Sequence, residues 1–237
     1  MEAFLTKLRL PRGMTERMIQ TVESCSGSSA VRSLYQAGGK RLLDVGIVVL
    51  VAPAVLPVVA VLWAVVRWQD GGEGLHCCWR IGRGGRRFAC WKLRSMVPAA
   101  EVRLARCLES SVELREEWQR RQKLARDPRV TPVGRWLRRT GFDELPQLWN
   151  VLRGEMSLVG PRPVSAGELA RYGPAAAAYL DAHPGVTGLW QVAERGKRGE
   201  WDARIRADQD YLRDISFRRD FGILLRTCAV IWRAEGE

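Results

Sequence analysis

Asp143 and Glu144 form a pair of adjacent carboxylates in a stretch of the chain that is otherwise rich in arginine. Carboxylates can act as nucleophiles or metal ligands, and neighbouring cations stabilise the negative charge of a phosphoryl group during its transfer. The flanking arginines are Arg135, Arg138, Arg139, Arg153 and Arg162. The local composition therefore predicts a site for phosphate chemistry.

The residues around this pair predict a helix that begins at Asp143. Thr140-Gly141 favours the end of a preceding basic helix, and Pro146 is tolerated only in the first turn of a new one. Backbone N–H groups and the helix dipole are expected to keep a carboxylate at that position ionised. The alternative interpretation is that Asp143 is only an N-cap and Glu144 only a first-turn charge.

A longer motif surrounds the pair. Asp-Glu-Leu-Pro-Gln-Leu at 143–148 is followed by Asn-Val-Leu at 150–152 and by Met-Ser-Leu-Val-Gly-Pro-Arg-Pro at 156–163. This run resembles the signature of the bacterial sugar transferases, the monotopic polyprenyl-phosphate phosphoglycosyl transferases. Matches extend from Lys40 to about Arg226, and the Leu-Trp form of the loop at 183–192 is most similar to the exopolysaccharide-initiating members.

The resemblance implies a reaction and a role for each matching residue. Asp143 is implied to attack a UDP-sugar, release UMP and carry the sugar phosphate until undecaprenyl phosphate accepts it. Glu144 is implied to hold Mg²⁺, a hard cation that prefers carboxylate oxygens. The residues implied to bind phosphate or nucleotide are Arg138, Arg162 and Arg195, together with Lys92 and Arg94 in a Lys-Leu-Arg-Ser-Met segment.

The composition also bears on the function classes. A net charge of +12 predicts an anionic partner, and ten Trp against four Tyr favour a membrane interface over a base-stacking surface. No helix-turn-helix or aromatic RNA-binding pattern accompanies the charge, so a nucleic acid is not the expected partner. A catalytically inactive scaffold of a polysaccharide export complex is the main alternative, because Glu73, Cys78 and Glu194 depart from the family pattern. The resemblance leaves a homo-oligomer open.

Residues 45–66 are strongly apolar, and about 22 residues are enough to cross a bilayer as a helix. Pro53 and Pro57 lie in the middle, where each removes a backbone hydrogen bond, so a kink is expected. Residues 1–41 carry seven Lys or Arg against three Glu, and the chain after Arg67 is also basic. Because basic flanks tend to stay in the cytoplasm, we expect a re-entrant helix in one leaflet of the inner membrane, facing the cytoplasm. The family breaks this helix at Ser-Pro, whereas this chain has Ala52-Pro53.

The predicted fold is of the α+β class and mainly helical, in a monotopic membrane protein. We expect a basic arm at 1–39, the Pro-broken re-entrant helix at 40–68 and a cytosolic catalytic domain at 69–237. A small β-hairpin is predicted at 75–81 and 87–93, and the Gly-rich segment 82–86 between the strands is either a simple turn or a phosphate cradle. Helices, some of them amphipathic and interfacial, are predicted at 101–124, 165–180, 200–215 and 217–233.

Overall fold

The computed structural model of the protein describes residues 34–121, 124, 127–193 and 201–232. Within these ranges helices predominate, and short strands form two separate pairs. The helices are α1 Lys40–Asp70, α2 Ala100–Ser110, α3 Val112–Arg121, α4 Pro132–Thr140, α5 Gln147–Leu152, α6 Ala166–Ala170, α7 Ala176–Asp181, α8 Leu189–Ala193, α9 Trp201–Arg213 and α10 Phe217–Trp232. The strands are β1 Leu75–Ile81, β2 Arg87–Leu93, β3 Ser157–Val159 and β4 Gly185–Thr187.

The apolar segment of the sequence forms α1, which continues from a π-helical turn at Tyr35–Gly39. Both Pro53 and Pro57 lie inside α1, and the segment is nevertheless a single helical element of 31 residues. By length and composition, Tyr35–Asp70 could cross a membrane. The last residues of the predicted N-terminal arm are thus helical, and residues 1–33 of that arm lie outside the described residues.

Both ends of α1 pack on the rest of the protein, whereas its middle does not. Val48 near the first end is buried beside β2 and α5, and Val66 near the other end is buried against Leu93 of β2 and a residue of α4. Between them, Leu56 is 66% exposed. The helix therefore presents an apolar central part to its surroundings while its two ends are held by the domain.

The predicted hairpin is confirmed with its bounds. Strands β1 and β2 are antiparallel, with Leu75 opposite Leu93 and Ile81 opposite Arg87. The segment between them is a tight turn that contains a 3₁₀ turn at Arg83–Gly85, in which the two glycines have positive φ. This arrangement is the hairpin turn of the two sequence-based alternatives, and it lies at the opposite end of β2 from Lys92.

Two of the predicted helices are interrupted. The helix expected at 101–124 breaks at Ser111, which has an extended backbone and whose hydroxyl accepts a hydrogen bond from the Leu114 N–H at 3.2 Å. Serine readily competes with the helix in this way, so it begins a new helix instead of continuing the old one. The helix expected at 165–180 breaks at Gly173, whose φ is +50° and which precedes a proline. The helices expected at 200–215 and 217–233 are confirmed as α9 and α10.

Candidate active site

The backbone before Asp143 is fixed by the two ends of α4. Thr131 caps the start of α4 by accepting a hydrogen bond from the Gly134 N–H at 2.9 Å. A Cβ on Gly134 would come within 1.9 Å of the Ser95 carbonyl oxygen, so glycine is what lets α4 approach the segment after β2 this closely. Gly141 ends α4 with a φ of +75°, a conformation that glycine adopts without strain.

Asp143 lies in a 3₁₀ turn, Phe142–Glu144, and not at the start of an α-helix. Gly141 occupies the N-cap of that turn and Pro146 the N-cap of α5, and neither position has a side-chain cap hydrogen bond. The prediction that a helix begins at Asp143 is therefore wrong, and so is the interpretation of Asp143 as an N-cap. Asp143 therefore caps neither the 3₁₀ turn nor α5.

The pKa of Asp143 is raised to about 6, above the ordinary value of a carboxyl group. The main cause is burial, since Asp143 is only 7% exposed, and the charge of Glu144 raises the pKa further. Lys92 and Arg138 oppose this effect and favour the ionised form. A backbone hydrogen bond also favours the ionised form, in the expected direction, but burial and the nearby side chains have the larger effects on the pKa.

Glu144 pairs with Lys92, the penultimate residue of β2. The Lys92 Nζ donates a hydrogen bond to Glu144 Oε1 at 2.7 Å, and both side chains are largely buried. Burial alone would lower the pKa of Lys92, but the charges of Glu144 and Asp143 outweigh it and raise the pKa above its usual range. The end of β2 therefore supplies a fixed ammonium group to both carboxylates.

Asn150 holds the acidic turn in place relative to β2. Its carboxamide accepts a hydrogen bond from the Trp91 N–H at 3.1 Å and donates to the Ala89 carbonyl at 2.8 Å. It also donates to Glu155 at 2.7 Å, and the residue is fully buried. Because α5 follows the acidic turn directly, this amide fixes the distance between the carboxylates and Lys92.

The motif at 156–163 and the loop at 183–192 meet in a second strand pair. Strands β3 and β4 run parallel, with Ser157 opposite Gly185 and Val159 opposite Thr187. A Cβ on Gly185 would lie 2.1 Å from the Gly160 nitrogen, so the two motifs approach too closely for a side chain at that position. Arg162 follows β3 and lies near enough to Lys92 that its charge lowers the pKa of that lysine.

Comparison with known proteins decides the family. The model of the bacterial sugar transferase family matches residues 35–234. The chain belongs to this family. The match covers the acidic turn, both strand pairs and the whole of α1.

Several bacterial relatives support this assignment. An undecaprenyl-phosphate galactose phosphotransferase of Salmonella typhimurium is 42% identical over 197 residues, which is 83% of this chain and 41% of that protein. The exopolysaccharide production protein ExoY of Sinorhizobium fredii is 40% identical over 198 residues, 84% of this chain and 87% of that protein. A UDP-glucose:undecaprenyl-phosphate glucose-1-phosphate transferase of Caulobacter vibrioides is 40% identical over 197 residues, 79% of this chain and 67% of that protein. The chain thus spans about two fifths of the Salmonella protein's length and most of the length of ExoY.

The structure brings together most of the site residues that the family resemblance implied. Asp143, Glu144 and Lys92 interact directly, and Arg138 acts on Asp143 while its Nε donates a hydrogen bond to the Ser95 hydroxyl at 2.9 Å. Arg162 acts on Lys92. These five side chains form the candidate active site of this member of the bacterial sugar transferase family.

Two predicted substrate-binding residues are not part of this group as the structure describes it. Arg94 forms an ion pair with Asp70 at the end of α1 and donates further hydrogen bonds to the Glu73 and Met96 carbonyls. Its donors therefore join α1 to β2. Arg195 lies outside the described residues.

The sequence reasoning assigned no role to Asp44, Asn150 or Arg41, which position the site. Asp44 of α1 is buried and accepts hydrogen bonds from the Ser157 hydroxyl at 2.7 Å and the Leu158 N–H at 3.1 Å. Arg41 donates to the carbonyls at the end of α5. A polar residue three or four positions from another on an apolar helix was the signal that could have identified this pair.

The donor set fits a metal ion that is shared with a substrate. Among the residues that the structure describes, no group of three or more His, Cys, Asp or Glu could hold a metal by itself. Asp143 and Glu144 nevertheless place two carboxylates side by side, and Mg²⁺ commonly binds one or two carboxylates, water and substrate phosphates. The expected Mg²⁺ is therefore compatible with these residues as an ion that a diphosphate helps to bind.

Proposed function

We propose that this protein transfers a sugar 1-phosphate from a UDP-sugar to a polyprenyl phosphate, undecaprenyl phosphate, and yields a polyprenyl-diphosphate-sugar and UMP. The observation that carries the proposal is Asp143, a buried carboxylate held among cations and not engaged in capping a helix. The names of relatives that cover much of this chain support the same substrates.

In the first step, a carboxylate oxygen of Asp143 attacks the phosphorus that carries the sugar. The bond from that phosphorus to UMP breaks, and its electron pair leaves on the UMP oxygen. Lys92 and Arg138 favour the ionised carboxylate and offset the charge that gathers on the transferring group. Burial around Asp143 keeps water from the phosphosugar ester while it waits for the lipid.

In the second step, an oxygen of the lipid phosphate attacks the same phosphorus. The bond to Asp143 breaks, and its electron pair returns to the carboxylate. Mg²⁺, when bound through Glu144, supplies positive charge that neutralises the diphosphate. Lys92 holds Glu144 in place for this role. Arg162 lies near the same lysine, where its positive charge can neutralise a further phosphate.

We also propose that α1 enters only the cytoplasmic leaflet of the inner membrane and leaves on the same side. Both ends of α1 contact the domain that carries Asp143, and its apolar centre is exposed. Pro53 and Pro57 deprive the carbonyls of the preceding turns of their helical donors, which favours a bend at mid-membrane depth. Asp143 then lies at headgroup depth, where the lipid phosphate is found.

The reaction is tested by UMP release from a panel of UDP-sugars, with undecaprenyl phosphate and Mg²⁺, beside the Asp143→Asn variant. We expect release with one sugar, which names the sugar donor, and loss of release in the variant. No release from any UDP-sugar by folded, membrane-bound protein would instead favour a scaffold of an export complex. The matched control is Asp208→Asn, which removes another buried carboxylate.

A further inference from the structure

An open groove with a cavity volume of about 70 Å³ lies beside the acidic turn, between α5, β4 and α10. Gly141 and Glu144 line one end, and Ile231 of α10 lies among the other lining residues. The groove is therefore continuous with the candidate active site, and a molecule that reaches Asp143 can extend into it.

The groove has no free hydroxyl with which to hold a polar ligand. Its only two hydroxyl-bearing lining residues are Thr187 and Thr227 among the described residues. Their oxygens lie 2.7 Å apart, and the Thr227 hydroxyl donates to the Ile223 carbonyl at 2.9 Å. Thr187 must then donate to Thr227, so both hydroxyl hydrogens are used inside the protein. Leu145, Leu148 and Val186 complete a lining that suits hydrocarbon.

The end near the acidic turn has the opposite character. Lys92 pairs with Glu144 there, and Arg138 acts on Asp143. Glu144 is the charged residue among the described lining residues, and Lys92 offsets its charge. An anionic head that extends beyond the groove to Asp143 meets Lys92 and Arg138, while an apolar tail lies along the groove.

The outer surface of α10 extends this apolar character away from the site. Phe217, Phe221 and Leu225 recur every four residues and are 50%, 50% and 57% exposed. Such a stripe is suited to the interface of a membrane. Ile223 and Leu224 of the same helix pack in the core, so the apolar residues of α10 are divided between core and surface.

We propose that the groove binds the first isoprene units of the acceptor lipid and places its phosphate at Asp143. The proposal rests on the proposed function for the identity of the acceptor, and it adds a binding site for the acceptor's chain. The groove contributes apolar contact in proportion to the length of chain that it holds.

The test measures the binding of lipid phosphates to purified protein in detergent without any UDP-sugar. Undecaprenyl phosphate is compared with methyl phosphate, which has the anionic head but no isoprene chain, and the ratio of their dissociation constants reports the contribution of the chain. Ile231→Glu places a charge in the groove, and Leu225→Glu places the same charge on the exposed stripe of the same helix. Ile231→Ala is a milder second variant, and its melting temperature shows that the fold is kept.

We expect Ile231→Glu to weaken undecaprenyl phosphate binding roughly tenfold or more relative to methyl phosphate, which has no chain to place in the groove. Leu225→Glu should leave the ratio unchanged. An unchanged ratio in both Ile231 variants would overturn the proposal, and so would equal weakening by Leu225→Glu, which would indicate a general membrane effect. Because no UDP-sugar is needed for binding, failure of this test is distinguishable from failure of UMP release.

Discussion

Asp143 and Asp208 are both buried, and burial raises the pKa of each to about 6. Asp208 of α9 accepts a hydrogen bond from the Tyr172 hydroxyl at 2.7 Å and lies 4.0 Å from the Arg204 guanidinium. In the part of the chain that the structure describes, no side chain donates a hydrogen bond to Asp143, and its charge is offset by Lys92 and Arg138 nearby.

The comparison separates a structural carboxylate from one that is available for chemistry. A hydroxyl donor fixes the oxygen of Asp208 and ties α9 to its neighbour, which stabilises the fold. Asp143 accepts no side-chain hydrogen bond, and the cost of its burial is offset instead by the charges of Lys92 and Arg138 and by a backbone hydrogen bond. Such an arrangement is expected where a reacting group must remain free to attack.

The largest expected effect is the difference in activity between the two isosteric variants. Asp143→Asn should lower kcat for UMP release by roughly 10³-fold or more, because the amide cannot act as the nucleophile. Asp208→Asn should lower it by less than about tenfold, since the residue only supports the fold. Steady-state UMP release at matched protein folding is the measurement. Equal losses in the two variants would remove the distinction between the two aspartates.

Lys92→Met should have the next largest effect. The change removes the cation that favours ionised Asp143 and leaves Glu144 without its partner. We expect roughly a 10²-fold loss of kcat/KM at pH 7, comparable with the loss of one electrostatic donor in an active site. Lys92→Arg should restore part of the activity because it keeps the charge, and a variant that retains wild-type kcat/KM without any cation at this position would contradict the assigned role.

The pH dependence of kcat/KM should follow the ionisation of Asp143. Only the carboxylate attacks, so activity should fall about tenfold per pH unit below the raised pKa of about 6. Glu144→Gln should move this acid limb to lower pH, because the charge of Glu144 raises the pKa. Asp208→Asn should leave the acid limb in place. If this variant moved the limb instead, the titration would belong to Asp208 and not to Asp143.

Stability should also distinguish the two carboxylates, by a smaller amount. Tyr172→Phe removes the hydrogen bond to Asp208 and leaves a buried carboxylate without its donor, so unfolding should become easier by roughly 1–3 kcal/mol. Asp143→Asn should instead gain stability relative to wild type as the pH rises. A folded pKa raised above the unfolded value of 3.8 costs stability only once the pH exceeds the unfolded value, and the cost is complete above about 6. Urea unfolding of both variants at pH 4 and pH 7 measures these differences.

The sequence predicted the elements that local chemistry determines. The hairpin follows from two runs of β-forming residues around a glycine-rich turn, and its bounds were confirmed. The breaks at Ser111 and Gly173 were missed because apolar spacing continues across both, whereas one hydroxyl and one positive φ decide the backbone there. Local capping and glycine chemistry thus overrode the helical period.

The sequence and the family motif proposed five residues that the structure brings together, but not the electrostatics of the group. Asp143, Glu144 and Arg138 are near one another in the sequence, and the family motif added Lys92 from a distant strand. The ionisation of Asp143 depends on burial and on Lys92, which only the folded chain brings together. Asn150 and Asp44 contact backbone atoms of other elements. The spacing of Arg41 and Asp44 on an apolar helix could have singled out Asp44, but not the atoms that it contacts.

The most direct test of the account is the detection of a sugar phosphate bound to Asp143. Purified protein is incubated with its active UDP-sugar and Mg²⁺ but no lipid acceptor, quenched rapidly in acid, digested and analysed by mass spectrometry. The account predicts one added sugar phosphate on the peptide that contains Asp143, its absence in Asp143→Asn, and its disappearance when undecaprenyl phosphate is added before the quench. An enzyme that transfers sugar phosphate to the lipid with no adduct at any time would instead use direct displacement, and the central claim would be wrong.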